Sequence, residues 1–466
     1  MVMTKPFRLP PVTEIVVSTP PGQILAAELR GGQVWAMHWH WEDQPPPVGA
    51  VHAIRITRLA PEIKGAFAVA DEAGTEAFLD LSGGKTRPHE GERILAQVTR
   101  PAEGGKRLTL RPDVRLAGRH LVYSPTRPGL AVSRQIRDKD KAQQLQGLLR
   151  SHASQQEGII VRAAAADLDE NASLLLAELD RHRKTWTSLQ SQTGLGVCFP
   201  QPSLLDSLLI ERPGSGSLTI TVHSRRAAAS LQQAAALHCP TEPITVEQDR
   251  GNPFLSSGAQ EALEKAFLPG VALPGGGKLW IEQTRACWTV DIDTENAAPG
   301  KASDIRQSLN RRAAVEIARQ VRLRRLAGSV VVDFLRAGDQ AAEQSVVKDL
   351  RAAFTEDPAT LRFNDRFDAL GLYAFNRQRL GPDLNAMRTQ GGRRLAILDG
   401  LNQLSRQSLA DQSRRFMLAI SPSAGKLLPE MPKALAEAKR RLGQDAPIVT
   451  DPQLAPNAFE VRPYQP

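Results

Sequence analysis

At 466 residues the chain is longer than one hydrophobic core usually supports, so two or more folded units are expected. Its 41% hydrophobic and 23% charged residues exclude wholesale disorder, and no apolar run reaches the roughly 20 residues that span a bilayer. The net charge of +9 suits a polyanionic partner, because each neutralised phosphate releases counterions, although simple solubility charge would look the same.

The chain begins without the apolar segment of a signal peptide, which makes the cytoplasm the expected compartment. Residues 14–18, 23–29 and 33–39 read as short strands, the last two joined at Arg30-Gly31-Gly32, ahead of a boundary at Pro45-Pro46-Pro47. His38-Trp39-His40 has the spacing of two metal ligands on one strand face, but no third ligand is recognisable and a structural role is the better reading. Five further strands, near 52–59, 66–70, 76–80, 93–99 and 107–111, suit a small closed barrel such as an OB-fold. Phe67, Phe78 and Lys106, among many basic residues, fit a stacking platform beside a positive groove for single-stranded nucleic acid. Equally, both phenylalanines fit the barrel core, and spacing does not say which side they face.

After Gly118 the pattern turns α/β, with a strand at 158–163, a helix of about 25 residues over 167–192, a strand at 217–222 and a helix at 226–237. Cys198, Cys239 and Cys287 lie far apart without a CxxC and read as reduced, buried thiols. Gly381-Pro382 and Gly391-Gly392-Arg393-Arg394 read as a linker before a small C-terminal α/β unit.

The segment 278–334 carries the chemistry. Strands at 278–283 and 287–293 form a hairpin in which Thr289, Asp291 and Asp293 share one face, opposite Trp288, Val290 and Ile292. A helix over about 303–326 follows, with Ile305, Leu309, Ala313, Ile317 and Val321 as its buried stripe and Gly328 as its stop. An apolar strand, 329–334, then carries Asp333. A right-handed crossover would bring the three aspartates to one sheet edge, where a hard divalent ion such as magnesium is bound by oxygen ligands. The alternative is three exposed aspartates that cap loops. Eight Lys or Arg residues from Lys301 to Arg325, against only Asp304 and Glu316, suggest a phosphate backbone beside that cluster. Gly275-Gly276-Gly277-Lys278 hints at a phosphate loop, yet Leu279 stands where Ser or Thr is needed and a strand follows, so a turn is the better reading.

Five runs, in this order and spacing, resemble the catalytic half of the ribonuclease E and ribonuclease G family. They are Leu273-Pro274-Gly275-Gly276-Gly277, Val290-Asp291-Ile292-Asp293-Thr294, residues 316–324, Val331-Val332-Asp333-Phe334 and Arg377-Gln378-Arg379-Leu380. The resemblance extends over residues 13–380 and implies an α/β multidomain fold. Its parts would be a split RNase H-like unit (13–47 and 199–265), an inserted OB-fold barrel (48–115) and 5′-sensor region (116–198), a DNase I-like catalytic domain (266–390) and a small C-terminal α/β domain (391–466). It also implies metal ligands at Asp291 and Asp333, with Asp293 beside them in the catalytic set. Magnesium is the expected ion and manganese the alternative. RNA contacts would fall on Phe67, Phe78 and Lys106, and 5′-phosphate sensing on Gly118, Val122 and Arg162.

The chain departs from the family at Asp293, where Asn is usual, at Leu335-Arg336-Ala337 in place of Ile-Asp-Met, at Ala369 in place of Arg, and at Ala163 in place of a sensing Thr. No cysteine follows the catalytic segment over 381–395, so no zinc and no zinc-linked tetramer are expected, leaving a monomer or homodimer. The implied activity is metal-dependent endonucleolytic hydrolysis of single-stranded RNA to 5′-phosphate and 3′-hydroxyl ends, in RNA processing or decay. The alternatives are an RNA-binding regulator that has lost cleavage and a nuclease acting on single-stranded DNA.

Overall fold

Period-2 alternation of small apolar residues builds a barrel in the first half of the chain. Val51–Ala60, Gly65–Val69, Glu76–Asp80, Leu108–Arg111 and Arg93–Arg100 pair in that order, and the first strand pairs with the last to close the ring. Ile54, Ile56, Ala66, Ala68, Ala77, Leu79, Ala96, Val98 and Leu110 fill it. The closed five-strand barrel is OB-like, and each strand lies within one residue of its expected limits.

The computed structural model describes residues 7–43, 48–83, 86–100, 102, 107–169, 172–249, 251–295, 302–336 and 340–464. Lys106, Lys301 and the proline run 45–47 lie outside the described residues. Two units are distinguished, one of residues 1–43, 217–229 and 244–466, the other of residues 44–216 and 230–243. Among the described residues no helix is long and apolar enough to cross a membrane.

Besides the barrel, the second unit holds a four-stranded sheet ordered Gly129–Val132, Gly158–Val161, Leu121–Ser124, Leu116–Ala117. Helices Lys139–His152 and Ser173–Ser191 cover it through Leu145, Leu149, Leu175 and Leu179. The long helix expected from residue 167 begins only at Ser173, after a 3-10 turn at Ala163–Asp167. Ala172, in the left-handed region at φ 44°, separates the two.

The first unit contains three sheets. One is ordered Ile244–Gln248, Leu218–Val222, Glu14–Ser18, Gln23–Arg30, Gln33–Trp41. A second is ordered Gly270–Ala272, Lys278–Gln283, Trp288–Asp293, Gly328–Asp333, Leu372–Arg377, Leu361–Phe363. The third, Ile448–Thr450, Phe416–Ile420, Phe459–Pro463, packs with helices Leu384–Ala410 and Pro432–Leu442 as a small α/β layer. The glycine pair read as a linker lies inside Leu384–Ala410, where Gly392 (φ 29°, ψ −106°) kinks the helix. Gly391 is buried there against Trp41 and Leu395, so packing holds the segment helical.

Candidate active site and nucleic-acid interface

Trp288–Asp293 alternates buried and open positions, with Trp288, Val290 and Ile292 inside and Asp291 and Asp293 exposed. Its parallel neighbour Gly328–Asp333 buries Val330 and Val332 and exposes Asp333. The register pairs Asp291 directly with Asp333, so both carboxylates leave the same face of the sheet from adjacent strands. At an interstrand spacing of about 4.8 Å, two such charges in water repel by on the order of 1 kcal/mol. Neither carboxylate has a hydrogen-bond or ion-pair partner among the described residues. Asp293 lies on the same face two residues along, and its Oδ1 accepts the Glu295 N–H at 3.0 Å.

The opposite face carries the core. Helices Ala302–Leu323 and Gln340–Ala353 cover it with Leu309, Ala313, Ile317, Val321, Val346 and Leu350. This overturns the expectation that the basic helix lines the acidic cluster. The helix packs behind the sheet, and most of its arginines are engaged in structure, while Arg306 is exposed and without a partner among the described residues. Arg311 pairs with buried Asp349 at 2.5 Å, Arg319 with Glu316 at 2.6 Å, and Arg324 Nε donates to Gln320 Oε1 at 2.7 Å. Burial pushes the Arg324 guanidinium down to about 10 and lowers Arg322 as well.

The helix end also differs from expectation. The left-handed residue is Arg325 at φ 60°, with the Leu326 N–H bonded back to Val321, whereas Gly328 opens the next strand.

Two helix residues that sequence reasoning passed over hold the site in place. Asn310, buried in the helix, donates Nδ2 to the Leu335 carbonyl at 2.6 Å and accepts the Leu335 N–H at 3.0 Å, which fixes the chain two residues beyond Asp333. Arg312 donates to the Pro274 and Gly276 carbonyls of the triglycine turn. All three glycines have positive φ and a strand, not a helix, follows them, in keeping with a turn. A Cβ on Gly277 would meet Leu309 Cδ1 at 2.6 Å and the Asp293 carbonyl at 3.1 Å, so only glycine fits beside the end of the aspartate strand. The signal available in sequence was the polar Asn310 within an otherwise buried stripe.

Among the described residues, no group of three or more His, Cys, Asp or Glu side chains is arranged to hold a metal ion. Asp291 and Asp333 nevertheless fit the oxygen preference of a hard divalent ion that takes one or two carboxylates and fills its other positions with water and phosphate. His38 is hydrogen-bonded to Glu28 at 2.8 Å, in keeping with a structural role.

On the barrel, Phe67 and Phe78 are direct cross-strand partners with ring centroids 5.9 Å apart. Both are half-buried, and their neighbours Ala66, Ala68, Ala77 and Leu79 point inward. The phenylalanines therefore face outward. The guanidinium carbons of Arg58 and Arg107 lie 4.6 and 5.4 Å from the Phe67 ring centroid. Outward aromatic faces flanked by arginines have the chemistry on which nucleic-acid bases stack with phosphates alongside.

Gly118, Val122 and Arg162 also come together. Arg162 Nη1 donates to the Gly118 carbonyl at 2.8 Å, and Val122 pairs with Ile160 across the strands. Beneath them, buried Glu178 accepts from the His120 and Leu121 N–H groups and from His120 Nδ1 at 3.0 Å. A Cβ on Gly118 would stand 1.9 Å from Glu178 Oε1, so close approach requires glycine here. Arg119, although next to this turn, is consumed by Glu242 and the Arg212 and Gly214 carbonyls. His120 is consumed by Glu178, so neither side chain faces a ligand.

Residues 115–380 match the Ribonuclease E/G family. The chain is similar to ribonuclease G of Salmonella typhimurium (strain SL1344), 25% identical over 491 aligned residues covering 96% of this chain and 99% of that protein. Ribonuclease G of Escherichia coli (strain K12) gives the same identity and coverage. Ribonuclease E of Escherichia coli (strain K12) is 28% identical over 362 residues, covering 71% of this chain and 33% of that protein.

Proposed function

Because the chain belongs to the ribonuclease E/G family, we propose that it is a metal-dependent endoribonuclease that hydrolyses single-stranded RNA to 5′-phosphate and 3′-hydroxyl ends, in RNA processing or decay. One observation carries the catalytic assignment: Asp291 and Asp333 stand register-paired on an open sheet face with no partner among the described residues to neutralise them. They would hold magnesium or manganese, which supplies Lewis-acid stabilisation of charge on the scissile phosphate. Asp293 completes the acidic set, and Asn310 and the triglycine turn keep the strand ends in place. The test is purified protein on labelled single-stranded RNA and DNA, with magnesium or with chelator. RNA cut only with metal is expected, DNA cut equally well would make it a general single-strand nuclease, and binding without cutting under magnesium and manganese would overturn the enzyme assignment.

Phe67 and Phe78 serve as the RNA-stacking platform in this reading. Phe67→Ala is expected to weaken binding by about 1–3 kcal/mol, the worth of one stacked base, with little change in salt dependence. Fluorescence anisotropy over a salt series measures both, and unchanged affinity in the Phe67→Ala, Phe78→Ala double variant would remove the platform.

Sensing of the 5′ end is expected to be weak. Arg162 keeps a charged donor for a terminal phosphate, but Ala163 lacks the hydroxyl that would add a second bond, worth roughly 1.5–3 kcal/mol. Neither Arg119 nor His120 replaces it. Cleavage of one RNA with 5′-monophosphate or 5′-hydroxyl ends, by the parent and by Ala163→Thr, reads this directly. A strong monophosphate preference in the parent that Ala163→Thr leaves unaltered would contradict it. The assembly we propose is a monomer or homodimer without zinc.

A further inference from the structure

Most arginines of the 302–323 helix are engaged behind the sheet, so the sheet itself is the place to look for a cation beside a strand lying across Asp291 and Asp333. The strands Lys278–Gln283, Trp288–Asp293 and Gly328–Asp333 contain a single Lys or Arg, Lys278. The antiparallel register pairs Lys278 with Asp293 and Trp280 with Asp291, so both side chains leave the same face as the aspartates. Although it stands opposite Asp293, Lys278 makes no ion pair among the described residues. Its Nζ sits 3.7 Å from the Trp280 ring centroid instead. Gly270, the Cα partner of Trp280 on the edge strand, leaves the room for this. A Cβ there would stand 2.5 Å from Lys278 Cε and 3.4 Å from Trp280 Cζ3.

We propose that Lys278, seated on the Trp280 ring, is a substrate-positioning cation that binds a backbone phosphate of single-stranded RNA next to the scissile one. The inference rests on the endoribonuclease reading and adds to it a contact one strand away from the metal-holding pair. Cation–π contact holds the ammonium without neutralising it, so the charge stays available to an anion, whereas pairing with Asp293 would have cancelled it. The ring also reduces the conformational freedom the long side chain would lose on binding. Lys278 touches substrate, and Trp280 acts through Lys278.

The test uses the full chain. Lys278→Gln, Lys278→Arg and Trp280→Leu are compared with the parent for RNA cleavage and, in chelator, for binding across a salt series. Lys278→Gln is expected to raise KM several-fold with kcat nearly unchanged, and to lower the slope of log K against log salt by about 0.7, one single-strand phosphate contact. Lys278→Arg restores the slope. Trp280→Leu raises KM while keeping most of the slope, because the charge remains but its placement is loosened. Thermal melting excludes unfolding as the cause. An unchanged salt slope in Lys278→Gln overturns the proposal. Binding in chelator requires no cleavage, so a parent that fails to cut RNA would sink the enzyme assignment while the slope still decides the role of Lys278.

Discussion

Asp333→Asn and Asp291→Asn are each expected to lower kcat on single-stranded RNA by more than about 100-fold while RNA binding in chelator survives. Loss of a folded structure would not explain such an effect. Both side chains are exposed and without partners among the described residues, and surface changes of that kind stay within about 0.5 kcal/mol of the parent stability. Removing one of two facing carboxylates also relieves their repulsion, so the variants should melt no lower than the parent in chelator. Metal provides a second readout. An ion held between these carboxylates in the folded chain would stabilise it, so magnesium or manganese should raise the melting temperature of the parent and leave the Asn variants unmoved. Full cleavage by both variants would remove the aspartates from the catalytic role. Asp293→Asn should differ, because an Asn side-chain carbonyl accepts the Glu295 N–H as well as a carboxylate does, so the turn is kept and a negative charge is lost.

The parts of this fold that sequence made legible are those set by short-range periodicity. The barrel strands and the aspartate strand alternate with period 2, so their limits and the shared face of Asp291 and Asp293 follow from local pattern. Faces became ambiguous where size and burial disagree. Phe67 and Phe78 are the largest apolar residues of their strands, yet the barrel is filled by the alanines beside them, because a small closed barrel leaves little interior volume. Long-range pairing was not legible at all. Arg311 meets Asp349 across 38 residues, and Arg322 approaches Glu28 at 3.9 Å, so counting charges along the helix 302–323 could not reveal that most of its arginines are already engaged. Asn310 shows the same limit. Its role is a pair of bonds to the backbone of Leu335, and nothing in the spacing of the helix names that partner.

Acidification is expected to destabilise the folded chain by about 3 kcal/mol through one histidine, His182, a change second only to the catalytic variants. His182 stacks on Tyr123 with ring centroids 6.3 Å apart, and its Nε2 is buried without a hydrogen-bond partner among the described residues. Burial moves its pKa from 6.5 down to about 4. The Glu178 carboxylate, 3.9 Å away, opposes the fall, while Arg181 and His238 add to it. A depressed histidine pKa means that the unfolded chain takes up the proton first. The contribution is therefore fully present above 6.5, is lost as pH falls toward about 4, and changes no further below that. Glu178 adds a loss of the same sign at lower pH. Burial would raise its carboxyl, but hydrogen bonding to His120 and the Leu121 N–H outweighs burial and holds it below its usual value of 4.5. Denaturant unfolding of the parent and of His182→Gln across this window isolates His182 together with its coupling to Glu178, since the groups the substitution leaves unchanged cancel in the difference. A parent that loses no more stability than His182→Gln between 6.5 and 4 would show that the buried imidazole already takes up its proton in the folded state. The readout matters for more than stability, because Glu178 also carries the turn whose Gly118 carbonyl receives Arg162. Protonating His182 beside that carboxylate sets up a competing partner for Glu178, and the first local consequence would fall on the placement of Arg162.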